Sequence, residues 1–171
     1  MCIICDGTTE EELVHLYAER IERHGWTACG VEPDEESPGW TYTIGLTFDD
    51  HPELLVSGPP DGFAMAVLGC IADAVVAGQS ISAGDEVVAE GRWWRARPVH
   101  VTHIRHGLVG MATGFLGRPV DVLQLVPVEG FDQHPRLDRP RGAVAVRVDR
   151  AERRRRAREA QRSRPMGRPR G

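Results

Sequence analysis

Cys2 and Cys5 form a C-x-x-C pair just ahead of an acidic, threonine-led segment. That spacing lets two thiolates bind one zinc ion, and a helix N-terminus nearby lowers thiol pKa values. The remaining ligands of a tetrahedral site are available about a hundred positions later. There His100, His103 and His106 stand in Pro98-Val99-His100-Val101-Thr102-His103-Ile104-Arg105-His106. The assignment is Cys2, Cys5, His100 and His103 around zinc. The plainer alternative, ranked ahead of it, leaves both cysteines on a frayed terminus and the histidines at the surface. A redox dithiol ranks last, because no strand precedes the motif. Cys29 and Cys70 read as buried small hydrophobes, one in a strand and one on the apolar face of a helix.

His24, His51 and Glu53 are the candidates for general acid–base chemistry, with Asp85 and the Thr41/Thr43 strand face bordering a pocket. Here too a plainer alternative is favoured. A threonine face is commonly solvated or covered by a helix, and His51-Pro52-Glu53 reads as a polar turn before a strand. The sequence contains no G-x-S-x-G, no phosphate-binding glycine loop, no H-E-x-x-H and no dinucleotide fingerprint; the absence of these recognisable enzyme classes lowers the weight of catalysis without excluding it. Arg92, Trp93, Trp94, Arg95 and Arg97 mix aromatic and cationic groups on one strand. Trp93, Arg95 and Arg97 share a face that could stack bases or grip a phosphate. The favoured reading puts one tryptophan in the core and pairs the arginines with carboxylates.

Several elements must position these groups. Thr8 or Thr9 followed by Glu11 and Glu12 has the spacing of a capping box, and Leu13, Leu16, Tyr17 and Ile21 recur at helical intervals. The spacing predicts a helix over 8–24, stopped by Gly25. A short strand over 26–31 precedes an acidic, turn-forming loop. Strict alternation from Trp40 to Phe48 then predicts a strand able to pair with the first. A buried strand over 54–57 ends in Gly58-Pro59-Pro60. Asp61 is placed to cap a second helix whose apolar face is Ala64, Val67, Leu68, Ile71, Ala72 and Val75. Strands at 87–88 and 92–99 and a last strand over 120–128 complete the set. Residues 103–116 fit a helix interrupted by glycines. With no regular βαβ repeat, the expected class is α+β: one domain, a mixed or antiparallel sheet packed by two or three helices.

The 171 residues suit one domain, which needs neither disulfides nor metal merely to fold. All 21 basic residues are arginine, and their distribution is uneven. Residues 1–140 hold 9 Arg against 22 acids, whereas residues 141–171 hold 12 Arg against 3 acids. The expected division is a globular part over 1–135 and a disordered, Arg-rich tail over 136–171. An acidic body repels nucleic acid and anionic membrane, so weak nucleic-acid contact is assigned to the tail alone, through Arg153-Arg154-Arg155-Arg156. With no secretory signal and no apolar run long enough to span a bilayer, the expected location is the cytoplasm.

Five segments in order along the chain carry a family resemblance: Met1-Cys2-x-x-Cys5-Asp6-Gly7, His24-Gly25-Trp26, Tyr42-Thr43-Ile44-Gly45-Leu46, Pro52-Glu53-Leu54-Leu55-Val56 and Leu123-Gln124-Leu125-Val126. Over residues 1–130 the chain resembles the bacterial proteins grouped as domain of unknown function 4262. The resemblance implies a stand-alone bacterial domain and no particular activity. Members continue after the last strand with a Trp-Pro-Asp segment, whereas this chain reads Val126-Pro127-Val128-Glu129-Gly130-Phe131. The functional expectation is a binding or interaction module with a Cys/His metal site. An enzyme using a histidine base ranks second, and tail-mediated nucleic-acid association third.

Overall fold

A computed structural model describes residues 9–35, 38–129 and 136–139. Six strands make one sheet in the order β1-β2-β3-β6-β5-β4. They are β1 Thr27–Val31, β2 Trp40–Ile44, β3 Glu53–Ser57, β4 Glu86–Ala89, β5 Arg92–Pro98 and β6 Val122–Pro127. All neighbours are antiparallel except the central pair, β3 and β6, which run parallel with Glu53 beside Val122 and Leu55 beside Gln124. The sheet is therefore mixed and the class is α+β. Among the described residues no helix is long and apolar enough to cross a membrane. The unit Gly142–Gly171, with its arginine run, lies outside the described residues.

Helix α1 (Glu10–His24) starts on a full capping box. Glu12 N donates to Thr9 Oγ1 at 3.2 Å, and Thr9 N donates back to the Glu12 carboxylate at 2.8 Å. It ends where Gly25 turns left-handed at φ 82° and donates to the Ile21 carbonyl. Helix α2 (Asp61–Val76) buries the six residues that its periodicity marks, Ala64, Val67, Leu68, Ile71, Ala72 and Val75. Its N-cap is Pro60 rather than Asp61, and no side chain caps it; Thr41 Oγ1 donates to the Asp61 carboxylate at 3.3 Å instead.

Two strand and helix expectations are corrected. The strand expected over 40–48 ends at Ile44, because Gly45 adopts φ 123° and turns the chain into a 3-10 turn, Leu46–Asp49. Phe48, which the alternation places on one face with Tyr42 and Ile44, is 61% exposed. The segment 103–116 divides into α3 (Val101–Arg105) and α4 (Gly110–Leu116), separated at Gly107, which has φ 89°.

The sheet is covered on both faces. Helix α2 closes one side over Leu46, Leu54, Val56, Trp94, Leu123 and Leu125. Helices α1, α3 and α4 close the other over Tyr42, Ile44, Leu55, Val99 and Val122. Each fully buried Leu or Val contributes roughly 1.5–3 kcal/mol through the water it sheds, so these two layers dominate the stability. Thr41 and Thr43, 1% and 0% exposed, lie on a covered face and not a solvated one.

Candidate functional site

The polar residues of the His51-Pro52-Glu53 turn are built into the frame. Glu53 is fully buried, and its carboxylate accepts four hydrogen bonds. Thr43 Oγ1 donates at 2.6 Å, Gly45 N at 3.0 Å, Thr47 N at 3.1 Å and Thr47 Oγ1 at 2.9 Å. Thr43 Oγ1 accepts in turn from Leu54 N at 2.8 Å. The knot holds the end of β2, the 3-10 turn and the start of β3 together, and its donors occupy the acceptor sites of the carboxylate. His51, 6% exposed, is equally committed: Nε2 accepts from Ile81 N at 3.1 Å, which leaves Nδ1–H to donate to the Pro52 carbonyl at 2.7 Å. His24 lies elsewhere, exposed in the last turn of α1, where a basic group suits the helix dipole. Asp85 closes its own turn by accepting from Ser82 N at 2.8 Å.

Of the proposed metal ligands, Cys2 and Cys5 lie outside the described residues, within which no cluster of three or more His, Cys, Asp or Glu could hold a metal. His100 is the N-cap of α3. Its Nδ1 accepts from Thr102 N at 3.3 Å and lies 2.9 Å from Thr102 Oγ1. His103 Nε2 lies 2.7 Å from the Arg139 carbonyl, so it donates there and leaves Nδ1 with a free lone pair. That is the arrangement in which a metal-bound histidine is oriented by a backbone carbonyl. His100 has the opposite tautomer while it caps α3, with the proton on Nε2. Its cap and a metal bond through Nε2 compete.

The other two cysteines depart from expectation. Cys70 is exposed on the outer side of α2, and Cys29 is half-buried opposite Tyr42. Burial holds the Tyr42 phenol well above its ordinary range, and the Cys29 thiol beside it adds to the shift, so this pair contains no base to activate the thiol.

A different place has the form of a binding site. The chain brings the parallel strands β3 and β6 side by side, so their carboxyl ends lie together. After β3 it passes Gly58-Pro59-Pro60 into α2 on one face. After β6 it continues beside β5, where Val128 N donates to the Trp93 carbonyl at 2.9 Å, and Leu137 packs into the core of the other face. In sheets containing parallel strands, ligands bind beyond the carboxyl ends. A cleft of about 1210 Å³ lies there, walled by Gly58-Pro59-Pro60, Phe63 of α2, Arg92 to Trp94 of β5, and Pro127 to Glu129.

The aromatic strand supplies one wall of this cleft. Trp94 is 1% exposed, with its indole N–H donating to the Ala89 carbonyl at 3.1 Å, so it anchors the core. Arg95 pairs with Glu86. Trp93, pointing the other way, is 58% exposed. The Arg92 guanidinium lies over the Phe63 ring, 5.6 Å from its centroid, and the Phe63 ring is 6.3 Å from that of Trp94. Residues 92–97 carried the aromatic signal in the sequence. The contributions of Phe63 and Pro127 had no signal there, because they reach the cleft only through the β3–β6 pairing.

The model of the family described as Domain of unknown function (DUF4262) matches residues 20–136, and the chain belongs to that family. No curated protein and no solved structure matches the chain.

Proposed function

We propose that this member of the DUF4262 family is a binding or interaction module whose ligand occupies the cleft beyond β3 and β6. One observation carries the reading: a cleft of about 1210 Å³ lies beyond the carboxyl ends of the adjacent parallel strands β3 and β6, and an exposed tryptophan stands in its wall. Trp93 is 58% exposed, so its indole is open to a ligand. Titration of isotope-labelled protein with small aromatic fragments tests this by NMR. Saturable shifts are expected at the Trp93 indole and at the amides of Gly58, Gly91 and Val128, weakened about tenfold or more in Trp93→Ala. Fragments that shift only residues outside the cleft, or none, would remove the reading.

A metal site using Cys2, Cys5 and His103 is a second reading, favoured by the His103 Nε2 contact to the Arg139 carbonyl. It predicts about one zinc per chain, set by the four-ligand stoichiometry of a structural site, and loss of that zinc in Cys5→Ser. If His100 is the fourth ligand, zinc binding breaks the cap of α3, and the Thr102 amide resonance shifts when the metal is removed. Metal-free protein whose stability is unchanged by Cys5→Ser would count decisively against this site.

A further inference from the structure

We propose that the cleft receives a basic, proline-containing peptide segment of a partner protein, bound in the extended polyproline II form. This rests on the reading that the cleft is a binding surface, and adds the class of ligand.

Size comes first. A second hollow of about 310 Å³ lies on the far side of the same Gly58-Pro59-Pro60 loop and is walled by Glu32, Pro33, Pro38, Gly39 and Asp61. With the 1210 Å³ cleft it makes a surface larger than the roughly 300–1,000 Å³ that encloses a small molecule. The shape suits an extended segment lying across the loop.

The surface chemistry narrows the class. Pro33, Pro59, Pro60 and Pro127 contribute flat rings without an N–H, and Phe63 and Trp93 add aromatic faces. Such walls recognise by stacking. A polyproline II chain presents flat pyrrolidine rings and backbone carbonyls that bond to nothing within its own helix. The donor it requires is present. The indoles of Trp26, Trp40 and Trp94 donate to the Asp73 carboxylate, the Leu108 carbonyl and the Ala89 carbonyl. The Trp93 indole N–H is uncommitted among the described residues.

Charge supplies the sign. Glu32, Asp61, Glu86 and Glu129 line the two hollows; with Glu86 paired to Arg95, the other three carboxylates stand against the guanidinium of Arg92. Residues 1–140 carry 9 Arg and 22 acids, so the wider field also draws cations and repels polyanions. The Arg92 guanidinium lies over the Phe63 ring, and the exposed Trp93 indole offers a second ring to a ligand arginine.

The test is an NMR titration of the full chain with a short peptide of Arg-Pro-Pro repeats, a matched peptide of Glu-Pro-Pro repeats, and a single-stranded oligothymidylate. The basic peptide is expected to shift the Trp93 indole resonance saturably and to leave the Trp40 and Trp26 indoles in place. The acidic peptide is expected to bind at least about tenfold more weakly, as like charges oppose it. Trp93→Ala, which alters an exposed side chain, is expected to lose at least about tenfold in affinity. Glu129→Gln is expected to lose a few-fold, with added salt acting in the same direction. Equal binding of the two peptides, or tighter binding of the oligothymidylate, overturns the proposal. So does a silent basic peptide when aromatic fragments still move the Trp93 signal, an outcome that spares the cleft as a binding surface. If the fragments are silent as well, both readings fall.

Discussion

Replacing Glu53 by Ala is expected to lower the free energy of unfolding by about 4 kcal/mol, one of the largest losses a single side chain can produce. The carboxylate is fully buried and is the shared acceptor of four donors. Removing it leaves the buried Gly45 N and the part-buried Thr47 N without this partner, and leaves a cavity where the side chain stood. Glu53→Gln retains the volume but turns an N–H₂ group toward other donors, and is expected to cost about half as much. Urea unfolding measures both. At a slope of about 1–3 kcal/mol per molar, the alanine variant should lose on the order of 2 M from its midpoint. A midpoint within about 0.3 M of the parent, well inside that slope range, would mean that the knot does not hold the turn.

Gly45→Ala is the second large effect, expected at about 3 kcal/mol or more. At φ 123° the residue has a backbone conformation that side chains rarely adopt. A Cβ built there falls 2.7 Å from the Gly25 carbonyl oxygen and 3.1 Å from Trp26 Cα, both backbone atoms that cannot turn aside. Gly84→Ala is the control, because Gly84 has φ 101° with nothing within 4 Å of its added carbon. It should cost only the conformational penalty, roughly 1 kcal/mol. The gap between the two variants in urea unfolding isolates the collision between the end of α1 and the turn after β2. Equal costs would show that the backbone yields there.

What could be read from the sequence followed the range of each interaction. The Thr9–Glu12 box and the six-residue face of α2 are local in the chain, and the structure reproduces both. The α+β class followed from the mixed order of elements, and the sheet has it. Alternation misled between Trp40 and Phe48, because hydrophobic spacing continues past Gly45 while the backbone does not. The expected Asp61 cap failed because Pro60 sets the helix start and Thr41 takes the carboxylate. Burial of Glu53 had no visible sign, since its partners come from another strand and the turn between. Cys2 and Cys5, and the arginine-rich segment beyond residue 140, lie outside the described residues.

The parallel seam between β3 and β6 has one more consequence. On one side of it β1, β2 and β3 follow each other as neighbours, and on the other β4 and β5 form a hairpin, so each half assembles from contacts close along the chain. The seam joins Glu53 to Val122, and closing so long a span is slow because the entropy is lost before any contact rewards it. The groove takes its walls from both halves, Pro59 and Phe63 from one, Trp93 and Pro127 from the other. Neither half alone presents a complete cleft. On the proposed reading of the cleft, ligand binding is thereby restricted to molecules that have finished folding.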